Sequence, residues 1–143
     1  MIRVISPDRP GLARAGLVVL MVLCGAAASR ADALAQEEDI NRRLVEMSVA
    51  DEIRKRCDSI SARFFAGLSL MMSLRSEARE RGYSASEIED YVTDKQEKRR
   101  IRGRADAYIR AHGAEPNDGP SLCILGQSEI AKQSRIGALL RAR

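Results

Sequence analysis

The chain has 143 residues and a net charge of +4, from 24 Lys and Arg against 20 Asp and Glu, with one histidine, three cysteines, no tryptophan and 3% aromatic residues. This is enough chain for one small domain. A zinc centre built on several histidines is excluded, and the few aromatics argue against a base-stacking nucleic-acid platform.

The N-terminus carries Arg3, Arg9 and Arg14 ahead of an uncharged run, "AGLVVLMVLCGAAA", from Ala15 to Ala28. A basic start followed by an apolar run of this length is a secretory leader pattern. The run is shorter than the roughly 20 apolar residues that span a bilayer, and it ends in small residues rather than in a basic stop-transfer cluster. Export with cleavage is the expectation, with small-residue cleavage frames ending at Ala31, Ala33 and Ala35. A cut after Ala35 leaves a polar helix start, "QEEDINRR". Residues 1–35 are thus expected to be a signal peptide and 36–143 a single helical domain in the periplasm. The rival readings are an uncleaved anchor and a lipoprotein acylated at Cys24, the latter disfavoured by Leu23, where such signals carry a small residue. Loss of the leader removes four arginines and two aspartates, leaving a balance of +2, so the basic charge says little about partners.

From Glu37 to about Arg81 there is no proline, and Ile40, Leu44, Met47, Ala50, Ile53, Cys57, Ile60, Phe64, Leu68 and Met71 recur at steps of three and four. This predicts helix, either as one long element or as two, with Asp58 and Ser59 available to cap a second. In the second half Phe65, Leu70, Met72 and Leu74 extend the stripe over more than half the circumference, which predicts a helix wrapped by its neighbours. The paired methionines are read as core filler rather than as a binding groove. Gly82 stops this helix. Ser84 and Glu87 form a capping box for a short helix to about Val92, and Asp94 caps the next, which Gly113 terminates. "GAEPNDGPS" reads as a loop, and Pro120 opens a last helix from Ser121 to about Leu140. With no alternating strand segment, the expected fold is all-α, a small bundle of four to five helices packed around the Phe64-rich one.

Cys24 leaves with the leader, so the mature chain keeps Cys57 and Cys123. An even pair in an oxidising compartment is by default a disulfide. It would close a loop of 66 residues, worth about 4 kcal/mol in the chain-entropy model. Two alternatives are a thiol at Cys57 activated by Arg54, Lys55 and Arg56, and a buried pair of free cysteines. Helical spacing aligns Cys57 with Ile53, Ile60 and Phe64 and turns the three cations elsewhere.

The other constellations carry little chemistry. In "KQEKRRIRGR" the cations point all round the helix among acidic residues, which reads as a solvated face rather than a nucleic-acid site. His112, the one histidine, sits in the last turn before Gly113, where a cation-capable side chain suits a helix end. The acids of "EPNDGPS" lack the spacing of a calcium loop. No catalytic, cofactor-binding or metal-ligating residue is nominated, and no cofactor is expected. The terminal "RIGALLRAR" could touch a membrane surface peripherally, although core packing explains its apolar residues.

"ADEIRKRCDSISAR", "GYSASEIEDYV" and "CILGQSEIAKQSRIGALLR" together resemble a family of small exported alphaproteobacterial proteins known as domain of unknown function 5333. The resemblance runs from about Val49 to Arg141 and implies an exported helical domain with paired cysteines, to which Cys57 and Cys123 correspond. It implies no activity or substrate. The functional expectation is a periplasmic, non-enzymatic accessory or interaction module that binds an envelope protein or component. The alternative is a small ligand-binding protein or hydrolase, with an inter-helix pocket near His112, Tyr108 or Glu115.

Overall fold

The computed structural model describes residues 33–143; most of the expected leader, with Cys24, lies outside them. Among the described residues the chain forms five α-helices: α1 (Glu38–Arg56), α2 (Phe64–Glu80), α3 (Ala85–Thr93), α4 (Lys95–Ala111) and α5 (Gly119–Ala131). Two three-residue strands complete it, β1 (Ile60–Ala62) and β2 (Leu140–Ala142), with a 3₁₀ turn at Gly137–Leu139 before the second. The all-α expectation holds, and the stretch from Glu37 to Arg81 is two helices, not one.

The local stop and start signals act as read. Ser84 accepts from the Glu87 backbone N–H while the Glu87 carboxylate accepts from the Ser84 N–H, closing the capping box of α3. Asp94 Oδ1 accepts from the Glu97 N–H at 2.8 Å, and Asp118 does the same for α5 through Ser121 at 3.0 Å. Gly82 and Gly113 take positive φ, of 93° and 77°, which an L side chain adopts at a cost.

Three expectations are overturned. Neither Asp58 nor Ser59 caps the second helix; α2 starts at Phe64 after Arg63, without a side-chain cap. The last helix stops at Ala131 rather than near Leu140, because Gln133 takes a φ of 53° and turns the chain back. The tail then pairs antiparallel with β1, Ile60 opposite Ala142 and Ala62 opposite Leu140. Strands this short offer too few positions for an alternating pattern to show.

The third correction concerns the centre of the bundle. The helix wrapped by neighbours is α1, not the Phe64-rich α2. Val45, Val49 and Ile53 of α1 and Cys57 just after it pack with Ala105 and Ile109 of α4, Leu122 and Leu125 of α5, and Ile60, Ile136 and Leu140. The approach of α5 is close: a Cβ at Gly126 would lie 2.6 Å from the side chains of Ile53 and Ile60. Ile136, Leu139 and Leu140 of the terminal segment are buried here, so they serve the core. A second, smaller cluster joins Leu34 and Ile40 to Leu74 and Ala78 of α2 and to Ile88 and Tyr91 of α3.

A disulfide links Cys57, at the end of α1, to Cys123 on α5, with Cα atoms 5.2 Å apart. The neighbouring cations point away from it. Arg54 and Lys55 pair with Asp51, each at 2.5 Å, and Arg56 reaches Glu52 at 3.2 Å and Asn117 at 2.7 Å.

Candidate functional site

The two halves of α2 are held very differently. Its C-terminal half buries Leu74 and Ala78, and its end is clamped to the start of α1 by charge. Arg81 there donates to Glu37, Asp39 and Glu77, and Arg43 of α1 meets Glu77 at 2.8 Å. Its N-terminal half is held by Ala66 and Leu70, which pack against the main core, and by Arg63 just before it, which donates to the carbonyls of Leu139 (2.8 Å) and Ala138 (3.1 Å), but its outer face is bare. Phe64 is 71% exposed, Phe65 82% and Met72 64%, and Leu68 is also exposed. The two phenylalanine rings meet edge to face, with centroids 5.6 Å apart, and cover little else.

Because that half stands off from α1, an open groove of about 540 Å³ lies between them. One wall is the α1 face Leu44, Met47, Ala50; the other is Phe64, Gly67, Leu68 and Met71 of α2; Ile101 of α4 and Val92 of α3 also line it. The volume is that of a typical ligand pocket and the lining is chiefly apolar, but the groove continues outward onto the bare face of α2. A Cβ added at Gly67 would meet nothing within 4 Å, which marks open space on that wall.

Charge at the rim is one-sided. Arg54, Arg63, Lys98 and Arg102 line it, against Asp51 and Glu97. Some of these charges are paired: Asp51 with Arg54 and Lys55, Glu97 with Arg100 at 2.7 Å, and Arg102 lies 3.9 Å from Glu52, so the excess is of four rim cations over two rim acids. Burial raises the Asp51 pKa, but hydrogen bonds from Lys55 and Arg54 outweigh it and hold the carboxyl below its ordinary value. The rim therefore presents net positive charge around an apolar floor.

Beneath the groove a buried polar knot fixes α1 against its neighbours. Asn41, fully buried, accepts through Oδ1 from the Tyr91 hydroxyl and from Arg100 at 2.8 Å. Its Nδ2 donates to the carbonyls of Leu34 (3.0 Å), Ala35 (3.2 Å) and Glu37 (2.8 Å). Arg100 comes from the basic run of α4, whose other cations scatter as expected: Arg104 pairs with Glu38 and Arg102 lies 3.9 Å from Glu52.

The region around His112 is built differently. Its ring stacks on Tyr108 at 3.8 Å and its Nδ1 lies 2.7 Å from the Tyr108 carbonyl oxygen. The Tyr108 hydroxyl donates to the buried Glu129 at 3.2 Å; burial and that carboxylate push its pKa up to about 12. Glu115 is exposed and 3.6 Å from Arg110. None of His112, Tyr108 or Glu115 lines the groove. Among the described residues no group of three or more His, Cys, Asp or Glu could hold a metal ion, and no helix is long and apolar enough to cross a membrane.

The sequence supplied the groove residues as members of an apolar stripe and assigned them to the core. The signal that could have separated α2 from α1 is the absence of charge over residues 64–74, which gives that helix no preferred outer face.

No curated protein and no solved structure matches the chain. Residues 32–141 match the model of a family described as a family of unknown function, DUF5333, and the chain belongs to that family.

Proposed function

We propose that this protein is an exported, non-enzymatic interaction module of the periplasm, and that its groove receives an acidic amphipathic helix of a partner protein. The observation that carries this reading is the exposed apolar half of α2 beside an open apolar groove. A monomer rarely leaves contiguous large apolar side chains in water without a use for them. The partner class follows from shape and charge. A groove between two helices accepts a third helix through apolar anchors at i, i+3, i+4 and i+7, and methionines such as Met47 and Met71 adapt to such anchors. The cationic rim favours acidic residues flanking them and speeds encounter with an acidic partner. Continuity with the bare α2 face favours a helix over a small molecule, which would be satisfied by the groove alone. Export is supported by the leader pattern of residues 3–28 and by the disulfide, which persists in oxidising compartments.

A photo-crosslinking amino acid placed at position 68 in cells tests the occupant. The expected adduct is with an acidic amphipathic segment of another protein, lost in Gly67→Leu, which fills the groove while suiting a helix better than glycine. Adducts with lipid, adducts with a second copy of the chain, or adducts indifferent to Gly67→Leu would each contradict the reading.

A further inference from the structure

We propose that the partner engages α2 with a helical hairpin, one arm seated in the groove and the other laid against Phe65 and Met72 on the outer side of α2. The inference rests on the groove reading above and adds a second arm to the same partner. Its basis is how the side chains of α2 divide around the helix axis. Ala66 and Leu70 pack against the main core, and Leu74 and Ala78 belong to the second cluster. Phe64, Gly67, Leu68 and Met71 wall the groove. Phe65 and Met72 do neither: they lie outside the groove lining and are 82% and 64% exposed. Seven residues apart, they stand on one side of the helix, about 10 Å from each other along its axis and about a quarter turn round from Phe64.

A helix in the groove meets α2 from the side of Phe64 and Met71, at the roughly 8–10 Å axis separation of packed helices, and leaves Phe65 and Met72 in water. These two side chains are too few to hold a separate protein, because a stable interface takes about 20 or more residues a side. They do suit an arm already tethered to the groove, whose arrival is intramolecular. Two antiparallel helices joined by a turn of about 2–5 residues set such arms side by side. The two arms differ in chemistry. The groove rim carries Arg54, Arg63, Lys98 and Arg102, which suit acidic flanks, whereas the outer stripe is edged by the exposed Ser69 and Ser73, uncharged and small. The outer arm therefore presents apolar residues flanked by neutral polar ones, and the serines let its backbone come close. The edge-to-face pair of Phe64 and Phe65 then sits as a wedge between the arms, one ring turned to each.

The test places a photo-crosslinking amino acid in the full chain in cells, at position 64 on the groove side and, separately, at position 69 beside the outer stripe, and maps the adducts by mass spectrometry. Two segments of one protein are expected, acidic at position 64, neutral at position 69, and joined by a short turn. One segment at both positions, adducts with different proteins, or an adduct at position 64 with none at position 69 overturns the hairpin while leaving the groove reading in place. The absence of a protein adduct at position 64 overturns both. As a second readout, Phe65→Ser, which leaves the groove lining intact, should lower the adduct yield at position 64 about fivefold or more; an unchanged yield would overturn the outer arm.

Discussion

α1 and α2 have 19 and 17 residues, and the more apolar of the two is the one left outside. α1 is charged at more than half its positions, yet Val49 and Ile53 are fully buried. α2 opens with "FFAGLSLMMSL" and exposes both phenylalanines. The difference shows that apolar content does not decide burial. A narrow stripe flanked by charges points α1 in one direction, and α4 and α5 meet it there; the apolar half of α2 has no such direction, and it packs through Ala66 and Leu70 while Phe64, Phe65, Leu68 and Met72 stay outside. The apolar surface that α2 does not use for folding remains available for binding.

The comparison can be broken most directly at the ends of α1. Replacing both Cys57 and Cys123 by serine frees its C-terminal end from α5 and should cost about 4 kcal/mol in denaturant unfolding, the value expected for a loop of 66 residues. A loss below about 1 kcal/mol would mean that the bridge is incidental to the fold. Asn41→Ala acts at the other end. It leaves the Tyr91 hydroxyl without its acceptor and the Leu34 carbonyl without its side-chain donor, and should cost about 2–3 kcal/mol. Unfolding followed by circular dichroism measures both, and stability unchanged in Asn41→Ala would detach the polar knot from the account.

Acid should sharpen the same contrast with a smaller effect, since the depressed carboxylates with the clearest partners lie on α1. Arg104 holds Glu38, and Arg81 holds Asp39, below the ordinary carboxylate range, and Asp51 is held down by Lys55 and Arg54 against the opposing effect of burial. At low pH the unfolded chain takes up protons that the folded chain resists. The stabilisation is therefore fully present above the ordinary carboxylate pKa, about 4, and is lost as pH falls through the lower folded values. The denaturant midpoint should be flat from pH 7 to about 5 and decline below about 4, with a shallower decline in Arg81→Gln. A midpoint indifferent to acid would sink this assignment.

What the sequence made legible was local. A cap needs only neighbours a few residues away, so Ser84, Glu87, Asp94, Gly82 and Gly113 announced their turns correctly. The pairing of Cys57 with Cys123 followed from counting cysteines under the expectation of export. What it hid was long-range: periodicity marks Phe65 and Met72 as apolar but cannot say whether another helix arrives to cover them. The tail was hidden for a similar reason, since Leu140 to Ala142 become a strand only because Ile60 to Ala62 lie opposite. Met47, Met71 and Ile101 were visible as stripe residues and not as the walls of one groove, because the groove exists only where α1 and α2 diverge.

Equilibrium unfolding of Ile53→Ala beside Phe65→Ser tests the central claim that the exposed face of α2, with Phe64, Phe65, Leu68 and Met72, is not part of the folding core. Ile53 is fully buried, and its truncation should cost about 3 kcal/mol; Phe65, largely in water, should change stability by less than about 0.5 kcal/mol in either direction. If Phe65→Ser costs as much as Ile53→Ala, the face is packed in the free protein and is not available to a partner.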